Sequence, residues 1–244
     1  MASIRRWRKA QDYERSYWEA VACRIAAREI GQLDWYSWRA TQMENRLAGL
    51  IDDDRKKNWR ILEVGSGPVG IVSALKWGDR YAIDPLEDFY RANTTLTLHR
   101  DPTVRYLQGV GEQPLFENGY FQLVILDNVL DHTQAPERVL RQIHRVLSRA
   151  GLLYLAVNVH TARGASLHSV LSKLLIDKGH PYSFTQPSIQ NLIRRTGFVI
   201  QREWLDHYYE AQNRDRTSAS LKDRIKGYTG LSEFIYYSIC SKQE

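Results

Sequence analysis

The stretch Ile61-Leu62-Glu63-Val64-Gly65-Ser66-Gly67-Pro68-Val69-Gly70 limits what this chain can fold into more than any other. Its apolar half reads as a buried strand, its glycines as a tight turn, and Val69 onward as the start of a helix. Gly65 and Gly67 remove side chains that would hold a ligand off the backbone. The turn then aims the free amides of a helix start at whatever binds there. A strand, turn and helix in that order make one βα unit, which buries its strand inside a parallel sheet. By itself the motif marks a nucleotide-type cofactor site and leaves the cofactor open.

The units around it repeat the alternation. Arg60 to Val64, Tyr81 to Asp84, Val104 to Leu107, Phe121 to Asp127 and Leu152 to Val159 read as strands. Val69 to Trp77, Leu86 to Leu98 and Pro136 to Leu147 read as the helices between them, and 165–177 and 187–196 as two more, the last closed by Gly197. Phe198 to Leu205 and Phe234 to Cys240 are strands joined by a long polar stretch, Tyr209 to Gly230, which predicts an antiparallel finish. Residues 10 to 50 repeat apolar positions at helical spacing, and Asp52-Asp53-Asp54-Arg55-Lys56-Lys57-Asn58 breaks the pattern. Two parts follow: an N-terminal helical cap over 1–57 and an α/β domain over 58–244.

Bulk properties exclude several classes. With 43% hydrophobic and 25% charged residues in 244, the chain is globular rather than disordered. Cys23 and Cys240 stand far apart and form neither a disulfide framework nor a metal spacing, which fits a reducing cytoplasm. No apolar run approaches the ~18 residues of a membrane span, and the basic start Arg5-Arg6-Trp7-Arg8-Lys9 lacks the apolar stretch of a secretory signal. The net charge of +6 permits nucleic acid or an anionic substrate. The arginines are scattered, however, and favour solvated helix faces over a nucleic-acid surface. The remaining histidines, 99, 144, 160, 168 and 207, have no spacing that suggests a metal, and none is expected.

Asp84 ends the second strand, where an acidic side chain accepts ribose hydroxyls in nucleotide-binding folds of several kinds. Two observations separate them. No Tyr-x-x-x-Lys pair occurs among the 14 tyrosines, which removes the usual proton donor of short-chain dehydrogenases. Glu63 sets a carboxylate under the glycine turn, which suits a cofactor carrying an ammonium group better than one carrying a pyrophosphate.

Ile61 to Gly70, Tyr81 to Pro85, Gly109 to Phe116 and Phe121 to His132, with Arg145-Val146-Leu147 before Gly151, resemble a class I S-adenosylmethionine-dependent methyltransferase of the small-molecule type. The resemblance spans roughly residues 59 to 205. It implies a Rossmann-like seven-stranded sheet, mostly parallel with an antiparallel last strand and helices on both faces, and S-adenosyl-L-methionine as cofactor. Glu63, Gly65, Ser66 and Gly67 would hold its methionine end, and Asp84 with Pro85 the ribose. Val110, Gly111 and Glu112 would lie along the adenine, while Asp127 and Asn128 line the methionine side. Family members often carry Asp where Val110 stands, so the backbone or Glu112 would have to meet the adenine amino group. Pro114-Leu115 also reverses the usual order.

The acceptor side is read from residues that follow strand ends. His132 lies beyond the carboxyl end of the fourth strand, where ligands sit in open α/β sheets, and imidazole is the side chain that most often serves as a general base. The alternative is that it shapes the start of the helix opened by Pro136. His180 and Tyr182, in Gly179-His180-Pro181-Tyr182-Ser183-Phe184-Thr185, are the second catalytic and substrate candidates; loop and capping chemistry is the alternative. Trp18 and Trp38 either roof an acceptor pocket or bury the N-terminal helices. Asp127-Asn128-Val129-Leu130 lacks the Pro-Pro-aromatic run of base-amino methyltransferases, and no Pro-Cys nucleophile is present. A small-molecule O- or N-methyltransferase is the first reading. An RNA-binding methyltransferase-like protein, active or silent, is the second. The oligomeric state is not legible.

Overall fold

The protein is described by a computed structural model over residues 2–31, 33, 35–173 and 179–243. Two helices come first, α1 (Ile4–Ala26) and α2 (Trp35–Leu47), then one turn, α3 (Asp53–Lys56). Next follow β1 (Arg60–Val64), β2 (Asp79–Asp84), α4 (Glu87–Arg91), α5 (Thr94–Thr97), β3 (Arg105–Gln108) and β4 (Phe121–Asp127). α6 (Pro136–Val146) runs without a loop into β5 (Leu147–Val159). The chain continues through α7 (Ala162–Lys173), α8 (Gln186–Arg195) and β6 (Phe198–Leu205). It closes with α9 (Tyr208–Thr217), α10 (Leu221–Thr229) and β7 (Phe234–Lys242).

The strands form one sheet in the order β3-β2-β1-β4-β5-β7-β6. β7 inserts antiparallel between β5 and β6, and the other neighbouring pairs are parallel. The expected seven-stranded sheet with its antiparallel last strand is therefore what forms. From β1 the chain winds outward to β2 and β3, then returns to β4 on the other side of β1. That reversal opens a crevice above the carboxyl ends of β1 and β4, which is where open α/β sheets bind ligands.

Alternation along the strands divides the core between two faces. Leu62, Val64, Val124 and Leu126 meet Val139, Leu140 and Ile143 of α6 and Ile189, Leu192 and Ile193 of α8. Ile61, Ala82, Leu123 and Ile125 meet Ala40, Met43 and Leu47 of α2. Each valine, leucine, isoleucine or methionine among them, taken fully out of water, contributes about 1.5–3 kcal/mol. A third cluster joins Trp18, Val21 and Ala22 of α1 to Tyr36, Val69, Tyr90 and Leu96, and seats α1 over the carboxyl edge.

Four elements differ from expectation. The helix expected over Val69 to Trp77 is only a 3₁₀ turn, Ile71–Ser73. Gly70 before it sits at φ 81°, and α2 fills the face that such a helix would cover. Leu86 to Leu98 splits into α4 and α5 because the Asn93 side chain accepts from Thr95 N and Leu96 N and starts a new helix. β5 begins at Leu147 rather than Leu152. The polar stretch before β7 folds into α9 and α10, which bury only Ala211, Asp215 and Gly227 between them and so carry almost no apolar periodicity. Of the helix expected over 165–177, positions 174–177 lie outside the described residues. Cys23 and Cys240 are both free. Among the described residues no helix is long and apolar enough to cross a membrane.

Candidate active site above β1 and β4

The glycine turn is pinned from both sides by carboxylates. Glu63, buried on β1, accepts from Ile71 N at 3.1 Å and Val72 N at 2.9 Å. Asp84, at the end of β2, accepts from Gly67 N at 2.9 Å and Leu86 N at 2.8 Å. Gly65 and Gly67 adopt φ of 71° and 60°. A Cβ on Gly65 would stand 2.6 Å from the Val129 methyls, and one on Gly67 would stand 2.7 Å from the Tyr36 hydroxyl. Both the backbone conformation and the surroundings therefore require glycine. Ser66 is buried beneath the turn and donates its hydroxyl to Gly67 O.

Above this turn lies a cavity of about 690 Å³, a size usual for small-molecule sites. Glu63, Gly65, Ser66, Gly67, Asp84, Pro85, Val110, Gly111, Glu112, Asp127 and Asn128 all line it. His132, His180, Trp18 and Trp38 do so too. The structure thus gathers onto one surface residues spread from position 18 to 180. Tyr182 lies outside that lining. Its hydroxyl accepts from Ala2 N at 2.6 Å and donates to Gln134 O at 2.8 Å, so it fastens the N-terminus rather than facing the cavity.

Two expected contacts are altered by partners the sequence does not reveal. Glu112 Oε1 accepts from Gln134 N at 2.8 Å and Ala135 N at 3.0 Å, so one oxygen of its carboxylate stabilises the start of α6. Trp18 is buried; its indole donates to Glu14 at 2.8 Å, and its ring stacks on Trp35 and meets Tyr90 edge-on. Trp18 is mainly a packing residue. Trp38, 60% exposed, opens onto solvent.

The N-terminal helices contribute lining residues that no motif announced: Gln11, Glu14, Tyr36 and Arg39. Arg39 Nη1 lies 3.4 Å from Asp127 Oδ2 at the end of β4. Asn128 follows at φ 59°, with its amide donating to Ala156 O at 2.8 Å and its buried side-chain Oδ1 lacking a hydrogen-bond partner among the described residues. Asparagine tolerates this left-handed turn better than most residues.

The electrostatics of the cavity are unlike those of the chain. The protein is basic, yet among the described residues Glu14, Glu63, Asp84, Glu112 and Asp127 line the cavity against the single guanidinium of Arg39. Burial raises the Glu63 carboxyl to about 8, against the pull of the Ile71 and Val72 amides. Burial likewise lifts Asp84 to about 7 despite its two backbone donors. Asp127 is raised by burial, with Arg39 drawing it back down. These are desolvated acids that gain from a cation placed among them.

The residues present therefore suit a cationic nucleoside cofactor: a glycine cradle, an acid at the end of β2, and carboxylates around the crevice. A methyltransferase-domain family model matches residues 62–155, which run from β1 to β5. Over these residues the chain thus matches a methyltransferase domain. Class I methyltransferases take their methyl group from S-adenosylmethionine. No curated protein matches the sequence. Among solved structures, the 1,6-didemethyltoxoflavin-N1-methyltransferase of Burkholderia thailandensis, with its substrate and S-adenosylhomocysteine bound, is 14% identical at a TM-score of 0.62 and is covered to 92%, over 100% of this chain. A phosphoethanolamine N-methyltransferase of Haemonchus contortus, bound to phosphomonomethylethanolamine and S-adenosylhomocysteine, is 14% identical at a TM-score of 0.61; 84% of this chain aligns with 52% of it. The YcgJ protein of Bacillus subtilis is 14% identical at a TM-score of 0.60, over 84% of this chain and 99% of that one. These likenesses concern the fold.

Proposed function

We propose that the chain moves the methyl group of S-adenosylmethionine to an oxygen or nitrogen of a small-molecule acceptor. The observation that carries this reading is the acidic lining of the cavity on a basic protein. Among the described residues, five carboxylates and one guanidinium around the glycine turn suit a ligand bearing a sulfonium and an ammonium, and oppose a pyrophosphate. When bound, the cofactor supplies a methyl group on a sulfur already activated by its charge.

The protein's share of the work is alignment and exclusion of water, worth about 7–11 kcal/mol when geometry is right. In this reading Asp84 holds the ribose, while Glu63 and Asp127 set the field around the methionine end. Residues 1–57 act as a cap, with Trp38 beside the acceptor and α1 closing the carboxyl edge. His132 and His180 stand together on one wall, with ring centroids 4.6 Å apart, as the polar groups nearest an incoming acceptor. The small-molecule acceptor class draws support from the size of the cavity and from the substrates bound in the Burkholderia and Haemonchus structures.

Isothermal titration with S-adenosylhomocysteine and, separately, NAD tests the cofactor. Binding of the first and not the second is expected, and the reverse sinks the proposal. Incubation with methyl-labelled S-adenosylmethionine and a panel of hydroxyl and amine acceptors, beside RNA, then reports the substrate class. Label appearing only in RNA overturns the small-molecule reading.

A further inference from the structure

On the cavity wall three side chains converge to which methyl transfer assigns no joint task. Asp131 and His132 belong to the 3₁₀ turn Leu130–His132 after β4, and His180 to the segment leading into α8. Asp131 is buried at 3% exposure, and its Oδ1 makes no hydrogen bond among the described residues. His132 Nε2 lies 4.0 Å from that oxygen, and His180 Nε2 lies 3.9 Å from Oδ2. These separations are too long for hydrogen bonds. Yet one ligand atom from each residue falls within 4.8 Å of the other two. Donors bound tetrahedrally at about 2.0–2.2 Å to a single ion lie about 3.3–3.6 Å apart, so side-chain rotations that draw these atoms together by roughly half to one ångström bring all three onto it.

We propose that Asp131, His132 and His180 form a binding site for one divalent transition-metal ion. Two imidazoles and a carboxylate are the donor set of zinc, iron(II), cobalt(II) and manganese rather than of calcium or magnesium, which favour oxygen. The arrangement is built by the fold. Tyr182 N donates to Asp131 O at 3.3 Å, and Ser172 Oγ donates to His180 O at 2.7 Å, which ties the His180 segment to both the turn and α7. A buried carboxylate oxygen without a donor is costly, and an ion between the three side chains supplies the missing charge. His132 and His180 line the cavity while Asp131 backs them, so the remaining coordination positions face the space where an acceptor oxygen or nitrogen enters. That last role rests on the methyl-transfer reading; the ion site does not.

A second cluster, His160, His168 and Glu233, lies alongside, with the His168 ring 6.0 Å from that of His180. Its carboxylate already has a cation, Lys226 Nζ at 3.3 Å. It therefore serves as an internal control.

Chelator-treated, full-length protein titrated with cobalt(II), followed by visible absorption, tests the site. One ion per chain is expected. Asp131→Asn, which keeps the side chain's shape, and His180→Ala should each weaken cobalt binding tenfold or more, given that loss of even an outer partner typically costs about 10–100-fold. His160→Gln should leave binding unchanged. No cobalt spectrum in the wild type overturns the proposal, as does binding that survives Asp131→Asn but disappears in His160→Gln. Circular dichroism establishes that each variant is folded. S-adenosylhomocysteine affinity, measured on the same samples, separates failure of the metal site from failure of the methyltransferase reading.

Discussion

If a cation is what the acidic crevice awaits, binding the cofactor must drive protons off the protein. In the free cavity burial holds Glu63 near 8 and Asp84 near 7. At neutral pH Glu63 is then mostly protonated and Asp84 about half so. A ligand that pairs its positive charge and its ribose with ionised forms of both releases roughly 1.4 protons. Affinity should therefore rise by somewhat more than tenfold per pH unit around neutrality and level off above about pH 8. Asp84→Asn removes about half a proton from the count. It also loses charge-assisted hydrogen bonds of about 1.5–3 kcal/mol, which weakens binding tenfold to a hundredfold. Titration calorimetry with S-adenosylmethionine in buffers of different ionisation enthalpy counts the protons directly. Tight binding with no proton exchange at neutral pH, or a count unchanged in both Asp84→Asn and Glu63→Gln, would refute the reasoning from burial and charge.

The same two groups make stability fall as pH rises. Folded Glu63 and Asp84 keep protons that the unfolded chain has released above its ordinary carboxyl range. Their contribution is thus complete at acid pH and lost as pH passes through about 7 and then 8. Thermal melts of the ligand-free protein should drop from pH 6 to 8.5, less so for Glu63→Gln, and S-adenosylmethionine should flatten the drop. Gly65→Ala should cost at least about 1–2 kcal/mol from its positive φ alone, measured by urea denaturation; adding Val129→Ala should relieve the methyl clash but not that backbone cost. Trp18→Ala should destabilise by about 3–5 kcal/mol. Trp38→Ala should leave stability within about 0.5 kcal/mol while raising the acceptor KM; the opposite pattern would reverse the packing and substrate assignments of the two rings. His132→Ala should lower kcat by about a hundredfold or more if it moves a proton, with S-adenosylhomocysteine affinity unchanged. Equal turnover would remove it from the chemistry.

The alternation of strands and helices, the glycine turn, Glu63 and Asp84 could be read in order along the chain because each depends on neighbours a few residues away. Backbone conformation and strand burial are local enough to leave a sequence pattern. The same holds for the sheet's antiparallel finish, which follows from two closing strands. Other features depend on residues distant in sequence. Whether Val69 to Trp77 forms a helix was decided by α2, which occupies the face that helix would cover. What Glu112 Oε1 binds was decided by the amides of Gln134 and Ala135. Arg39 meets Asp127 across 88 positions, and His180 reaches Asp131 across 49.

By itself, then, the sequence determined the kind of fold and the side of the sheet on which the candidate cofactor crevice opens. Those rest on periodicity and on glycines that tolerate what other residues do not. Tertiary structure alone decided the cavity's charge, the burial that lifts its carboxyls, and the meeting of Asp131 with two histidines. Electrostatic energy depends on distance through space and on exclusion of water, and neither is written in the spacing of residues along a chain.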